Sequence, residues 1–469
     1  MAPVAPFSAR RRALLRAAGA LALAPKAALA DRNPLGKPRI LLGPMVGEVR
    51  TDSARLWLRM SGDYFDSVIE YTDDPLGGRW RATEPFRAER GEELVIKPVL
   101  GDLEPGREVL YRVRVHGGQD RYLRNLPPFR FRTAPSGPAR FTVAFGSCAR
   151  VQDDPRQPIW KGVSRWEPDL FFWVGDNIYG DSLNPEVLAA EYRKQRFVPG
   201  FQQLGRSVPQ LATWDDHDFG LDNYDRTNPI KSHAQRLFEH YWANPASGTG
   251  DGEGIHFRYH YGGVDFFFLD GRFWRSENTA PDGPGKTMLG QAQLDWLRRA
   301  LQRSKAPFKI LICGSNWALG EGTNDDVWAG FVYERNALFE FIRGQGIGGV
   351  VLLAGNTHFP YASCAPWSTY GGYDFYDLTS SALAQTVSEE MPLPVDPSAP
   401  IAPDRFVRPP LLNVNNAGIL EFDLTAEDPE LRFNVIDTRG RALWPWLSLH
   451  ASELVNGVQT WERKRRIED

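Results

Sequence analysis

Four times along this 469-residue chain, a run of apolar, β-branched or aromatic residues ends in a short string of polar side chains that bind metals. Residues 141–145 lead into Gly146-Ser147-Cys148, and 170–174 into Gly175-Asp176-Asn177-Ile178-Tyr179-Gly180-Asp181. Residues 208–213 precede Trp214-Asp215-Asp216-His217-Asp218, and 350–353 precede Gly355-Asn356-Thr357-His358. Such runs read as buried strands, and open α/β sheets carry their ligands outside the carboxyl ends of strands. The pattern therefore predicts an α/β chain in which four strand ends converge on one site. An aspartate can bridge two hard cations through its two oxygens, and a tyrosine three residues on can add a phenolate, which favours a ferric ion.

The first 30 residues carry Arg10, Arg11, Arg12, Arg16 and Lys26, no acid, an Ala/Leu stretch and Ala28-Leu29-Ala30, which has the form of a cleavage site. They read as an export signal. The string Arg10-Arg11-Arg12-Ala13-Leu14-Leu15-Arg16 resembles the twin-arginine type, whose export machinery moves folded proteins and would suit a chain that loads its metal in the cytoplasm. The apolar stretch is too short to span a bilayer, and no later segment reaches about 18 apolar residues. A periplasmic or secreted location is expected.

Without those five basic residues the net charge falls from −3 to about −8, which does not indicate a nucleic-acid-binding surface. Three cysteines, 148, 313 and 364, are too few for a disulfide framework and odd in number. At least one thiol stays unpaired in an oxidising compartment unless it binds metal, and Cys148, inside a strand-end motif, is the candidate. Cys313 and Cys364 read as small buried hydrophobes. The 15 tryptophans are scattered and read as core rather than as a carbohydrate platform.

Length and patterning divide the chain. Residues 37–134 show short alternating strands at 54–60, 67–72, 109–115 and 129–132, which predict a small antiparallel sandwich. Ala134-Pro135-Ser136-Gly137-Pro138 marks a linker. From 139 to 440 strands alternate with helical stretches at 185–197, 232–242, 290–304 and 333–343, with Leu294, Leu297 and Leu301 at helical spacing. Residues 389–410, rich in proline, are expected to be a loop or lid, and 441–469 a C-terminal tail.

Taken in order, Ser147-Cys148, the Gly-Asp-x-x-Tyr-x-Asp string at 175–181, Trp-Asp-Asp-His-Asp at 214–218 and Gly-Asn-Thr-His at 355–358 closed by Ser363 resemble the PhoD-like alkaline phosphatase and phosphodiesterase family. Leu269-Asp270-Gly271-Arg272, the stretch 289–297 and Tyr376-Asp377-Leu378-Thr379-Ser380 are similar to its flanks, and the likeness spans roughly residues 39 to 440. It implies a metallophosphatase sandwich of two mixed sheets between helices, behind a fibronectin-like β-domain. It also implies an exported metal-dependent hydrolase of phosphate monoesters or diesters acting through a metal-activated water.

By this resemblance Asp176 would bridge the metals, and Cys148, Tyr179 and His358 would hold Fe3+. Asp216 and Asn356 would belong to a second, harder ion, for which the family uses Ca2+. Asp215 and Asn223 would add oxygens or support. His217 could act as general acid, held by Asp218, while Arg272 is a candidate for a substrate phosphate oxygen or for a salt bridge with Asp270 or another neighbour. His233, His240, His256 and His260 read as structural. One position departs from the family: Asn356 stands where its pattern has aspartate, which removes a unit of charge from the second metal's shell. Two other readings stay open, a degenerate member that binds phosphate esters or metal without turnover, and a metal-free cysteine hydrolase using Cys148.

Overall fold

The computed structural model describes residues 39–62, 66–74, 78–115, 118–120, 123, 126–248, 252–317, 326–387 and 404–466. The leader expected at 1–30 and residues 389–403 of the proline-rich stretch lie outside them.

Near the N-terminus, Ile40–Val49 pairs with Ala54–Met60, and Ser67–Thr72 pairs with Glu108–Val115, which also pairs with Phe129–Arg132, all antiparallel. Strict alternation in Glu108–Val115 buries Val109, Tyr111, Val113 and Val115, while Arg112 and Arg114 face outward and share Glu70. The inward residues of both sheets, among them Val46, Leu56, Leu58 and Ile69, belong to one apolar cluster, so the two sheets form a sandwich. Tyr111 donates to the Arg206 carbonyl at 2.7 Å and Trp57 to that of His240 at 2.9 Å, which ties the sandwich to the rest of the chain.

The remaining strands form two larger sheets. The first runs in the order Gln210–Thr213, Leu170–Val174, Arg140–Gly146, Asn416–Asp423, Glu430–Asp437, Leu447–His450. Its first three strands are parallel and the rest antiparallel. The second runs Phe257–Tyr261, Val264–Phe268, Lys309–Ile312, Val350–Ala354, Phe375–Thr379, Tyr361–Ala365, Arg405–Arg408, with a parallel centre and antiparallel edges.

The sheets pack face to face through aromatic rings: Phe172 meets Phe266 and Phe268 at centroid distances of 4.9 and 5.0 Å, and Phe141 meets Tyr261 at 5.0 Å. Leu170–Val174 lacks alternation because both its faces are covered. Phe172 turns to the second sheet, while Phe171 and Trp173 turn to Trp160 on the helix Ile159–Ser164. Burying each such ring is worth roughly 2–3 kcal/mol. On the far side of the second sheet, the helix Gln291–Arg303 buries Leu294, Leu297 and Leu301 and sets Trp296 against Phe267.

Two boundaries differ from expectation. Arg405–Arg408, inside the stretch expected to be a loop, is an edge strand paired with Tyr361–Ala365, and Arg408 donates to the carbonyls of Pro445, Trp446 and Lys464. Leu447–His450, inside the expected tail, pairs with Glu430–Asp437 and completes the first sheet. Both strands are four residues long at a sheet edge, too short to carry a periodic signal.

Candidate metal centre

Three strands of the first sheet end in the motifs holding Cys148, Asp176 and Asp216, and one strand of the second ends in the motif holding Asn356 and His358. The backbones meet closely. A Cβ on Gly355 would lie 2.3 Å from Ser147 Oγ, and one on Gly175, whose φ is +96°, would lie 2.9 Å from Asp215 Cβ. Cys148, Asp176, Asn356 and His358 all adopt left-handed backbone, with φ between 49° and 71°. Non-glycine residues in this region are uncommon, and such conformations cluster at functional sites.

Ligand atoms of Cys148, Asp176 and His358 lie within 4.8 Å of one another, and so do those of Asp176, Asp216 and His217. Asp176 belongs to both groups. Cys148 Sγ is 3.3 Å from Asp176 Oδ2, and the Tyr179 hydroxyl is 3.3 Å from His358 Nε2. Ser381, which sequence reasoning missed, donates from its hydroxyl to Cys148 Sγ at 3.2 Å and accepts the His358 backbone N–H at 3.0 Å.

The electrostatics fit a cation. Asp176 Oδ1 and Asp216 Oδ1 are buried without a hydrogen-bond partner, which is costly for an ionised carboxylate, and Arg272 Nη2 approaches the second of them only to 3.5 Å. Burial, then the neighbouring Cys148 and Asp216, push the Asp176 carboxyl well above its usual range. Burial likewise raises the Cys148 thiol and the Tyr179 phenol, so thiolate and phenolate need a positive partner. A thiol, a phenol, an imidazole and a carboxylate around one point suit a ferric ion, and the oxygens of Asp176 and Asp216 suit a harder second ion. Cys148 is fully buried and its thiol raised, the opposite of an activated nucleophile, so the metal-free cysteine hydrolase loses its basis.

His217 is oriented by Asp181 and not, as expected, by Asp218. Its Nδ1 meets the Asp181 carboxylate, while Nε2 lies 3.9 Å from Asp216 and 3.7 Å from Asp222. Burial lowers its pKa, but Asp176, Asp216 and Asp181 outweigh burial and lift it to about 10. Asp218 turns inward, accepting from the Asn177 and Asp215 backbone N–H groups and the Tyr192 hydroxyl, and it caps the short helix Asp216–Phe219.

Of the two readings of Arg272, the salt bridge to a neighbour is the one found: its side chain is sealed from solvent, so it is not placed to touch a substrate. Its Nε bonds Asp215, and its Nη1 and Nη2 grip Asp326 at 2.7 and 2.8 Å. Arg275 joins Asp326 at 2.6 Å and Ser315 at 2.5 Å, and Ser315 reaches Asp215. Asp215 thus faces the arginines behind the centre. Burial alone would raise the Asp216 carboxyl, but Arg272, His217 and the Asn223 amide hold it well below the usual carboxylate range. Asn223 acts through its backbone, donating to Asp216 Oδ2 at 2.8 Å. Asn356, half-buried, is fixed by its N–H on Ser147 Oγ at 3.1 Å. Cys313 and Cys364 are buried, as expected.

The profile of the family described as PhoD-like phosphatase matches residues 143–433, which hold all four strand-end motifs. Alkaline phosphatase D of Bacillus subtilis (strain 168) is 25% identical over 397 residues. That alignment covers 69% of this chain and 65% of the relative, so the chain spans about two thirds of its length. The solved structure of PhoD superposes with a TM-score of 0.65 at 18% identity, covering 90% of this chain and 96% of that one. Purple acid phosphatase PPD1 from yellow lupin (Lupinus luteus) seeds superposes with a TM-score of 0.60 at 14% identity, covering 87% and 74%. The fold is that of the metallophosphatases.

Proposed function

This chain belongs to the PhoD-like phosphatase family, and from that premise we propose that it is an exported, metal-dependent hydrolase of phosphate monoesters or diesters. The observation that carries this reading is the sharing of Asp176 between two groups of ligand atoms, each within 4.8 Å. Cys148, Tyr179, His358 and Asp176 would hold Fe3+. Asp176, Asp216 and Asn356 would hold Ca2+, supported by Asp215 and Asn223. When bound, such a pair clamps phosphoryl oxygens and lowers the pKa of water enough to supply hydroxide near neutral pH.

The chain's own residues supply the rest. Asp181 fixes His217 at Nδ1, so that Nε2 carries the proton given to the leaving-group oxygen. Arg272 holds Asp215 and keeps Asp216 ionised. Residues 37–134 would form a fibronectin-like domain in front of the catalytic body, and residues 1–30 a twin-arginine leader that sends the folded protein to the periplasm or beyond. No helix among the described residues is long and apolar enough to cross a membrane.

Hydrolysis of nitrophenyl phosphate and bis(nitrophenyl) phosphate tests the reading. Activity should be lost to a chelator, restored by iron with calcium and indifferent to iodoacetamide, and chelator-resistant turnover would refute it. Asn356 favours one second reading, a member that binds phosphate esters without turnover, to which phosphate binding by an inactive metal-loaded protein would point.

A further inference from the structure

We propose that Arg150 is the guanidinium that receives the non-bridging phosphoryl oxygens of the substrate, a role for which Arg272 is too deeply buried. This rests on the reading of the site as a phosphate ester hydrolase. Arg150 follows Cys148 by two residues on a fixed backbone, where Ala149 pairs with Ala384 and the Arg150 N–H donates to the Ala384 carbonyl at 2.7 Å. Its guanidinium carbon lies 5.1 Å from the centroid of the Tyr179 ring, and that ring packs against His217 at 4.2 Å between centroids. The Tyr179 ring therefore touches both a cation and the proposed proton donor.

Two features leave this arginine available. Its Nε is buried and has no hydrogen-bond partner, an unsatisfied donor beside the centre. Its acidic neighbour Asp153 is 3.7 Å away, beyond hydrogen-bonding distance, and the two side chains are 39% and 40% exposed. A screened pair of this kind exchanges readily for a better acceptor. Phosphoryl oxygens are that acceptor, because the planar fork of arginine matches two of them at once. Among the described residues, the arginines recorded in contact with a metal-motif side chain are Arg150 and Arg272, and Arg272 is committed to Asp215 and Asp326.

The test compares metal-loaded wild type, Arg150→Met and Arg150→Lys in the full chain. Hydrolysis of nitrophenyl phosphate and bis(nitrophenyl) phosphate is measured, together with calorimetric binding of inorganic phosphate. Arg150→Met should weaken phosphate binding and raise KM about 10- to 100-fold, as expected for lost charged hydrogen bonds. The loss should be larger for the dianionic monoester than for the monoanionic diester, and Arg150→Lys should recover only part of it. Iron content and Tm should match wild type. Phosphate affinity and KM within about twofold of wild type in Arg150→Met would overturn the proposal, as would a loss that tracks bound iron, which would assign the arginine to the Tyr179 ligand. A wild type that neither binds phosphate nor hydrolyses either ester refutes the functional reading itself, whereas an active wild type with an indifferent Arg150→Met refutes Arg150 alone.

Discussion

Replacing Arg272 by methionine separates a positioning residue from a substrate contact. In the folded chain Arg272 meets Asp215 through Nε, Asp326 through both terminal nitrogens, the Tyr224 carbonyl at 3.2 Å and Asp216 at 3.5 Å, with none of its side chain exposed. Methionine fills most of the space and removes the charge. Asp326 keeps Arg275, but Asp215 loses the cation in direct contact with it and keeps the Ser315 hydroxyl and the Asp218 N–H of the capping box. Breaking a buried pair in this way costs about 3–5 kcal/mol, and at roughly 1.6 °C per kcal/mol for a body of about 300 residues the Tm should fall by roughly 5–8 °C. Arg272→Lys should fall between the two proteins, since one ammonium cannot grip Asp215 and Asp326 together. Scanning calorimetry gives the stability, and steady-state kinetics on the metal-loaded proteins gives the rest. Loss of activity should sit in kcat, through a misplaced Asp216, with KM nearly unchanged. A variant that keeps the wild-type Tm but raises KM tenfold or more would show that Arg272 binds substrate, and the assignment made from its burial would be wrong.

Asn356→Asp should tighten the second metal and make activity less dependent on added calcium, at little backbone cost because aspartate tolerates the left-handed φ of 71° found there. Calcium titrations check this, and superimposable curves would place Asn356 outside the metal shell. Cys148→Ser should lose iron, and Tyr179→Phe should bleach or shift the visible band that ferric thiolate and phenolate ligation produces, whereas a colourless, fully active protein without iron contradicts both. His217→Ala should cost about 10²- to 10⁴-fold, and less for acidic leaving groups, where equal losses on good and poor leaving groups would argue against a general acid. A general acid works only while protonated, and Asp181 helps raise the pKa of His217, so Asp181→Asn should move the alkaline loss of activity to lower pH. Changing Arg11 and Arg12 to Lys should leave an uncleaved precursor in the cytoplasm, and normal export of that variant would place the chain on the unfolded-chain route.

The parts of this site that were legible in sequence are those written in local patterns. Leu170–Val174 reads as a doubly buried strand because five apolar residues stand together, and the next turn must then hold Gly175 and Asp176. The helix Pro185–Arg196 announces itself through Asn184, whose side chain accepts the Glu186 N–H, and through proline at its start. Pairings across the fold carried no such mark. The string Asp-Asp-His-Asp suggested Asp218 as the partner of His217, yet both sit on one short helical turn, where adjacent side chains do not face each other. Asp181, which arrives from a different strand end, takes the place. Arg272 and Asp326 are 54 positions apart and have no common motif, so only the folded chain shows that the arginine is committed.

That commitment explains how acids of one type come to serve different ends. Asp176, Asp215, Asp216, Asp218 and Asp326 are all buried, and burial alone makes an ionised carboxylate costly. Asp326 is met by Arg272 and Arg275, Asp215 by Arg272, and Asp218 by four hydrogen bonds, although burial still lifts it to about 7. Asp216 has one oxygen on the Asn223 N–H and the other without a hydrogen bond, and Asp176 has one oxygen near Cys148 and the other unpartnered. The acids behind the centre are compensated from within the chain, while Asp176, which belongs to both ligand groups, and Asp216, which belongs to one, each keep an oxygen without a hydrogen bond. A fold that built this cluster only for stability would gain by completing them, since a half-satisfied polar network is worse than an apolar core. The incompleteness is intelligible if cations supply the missing charge at Asp176 and Asp216, as the two-metal reading of the site would have it.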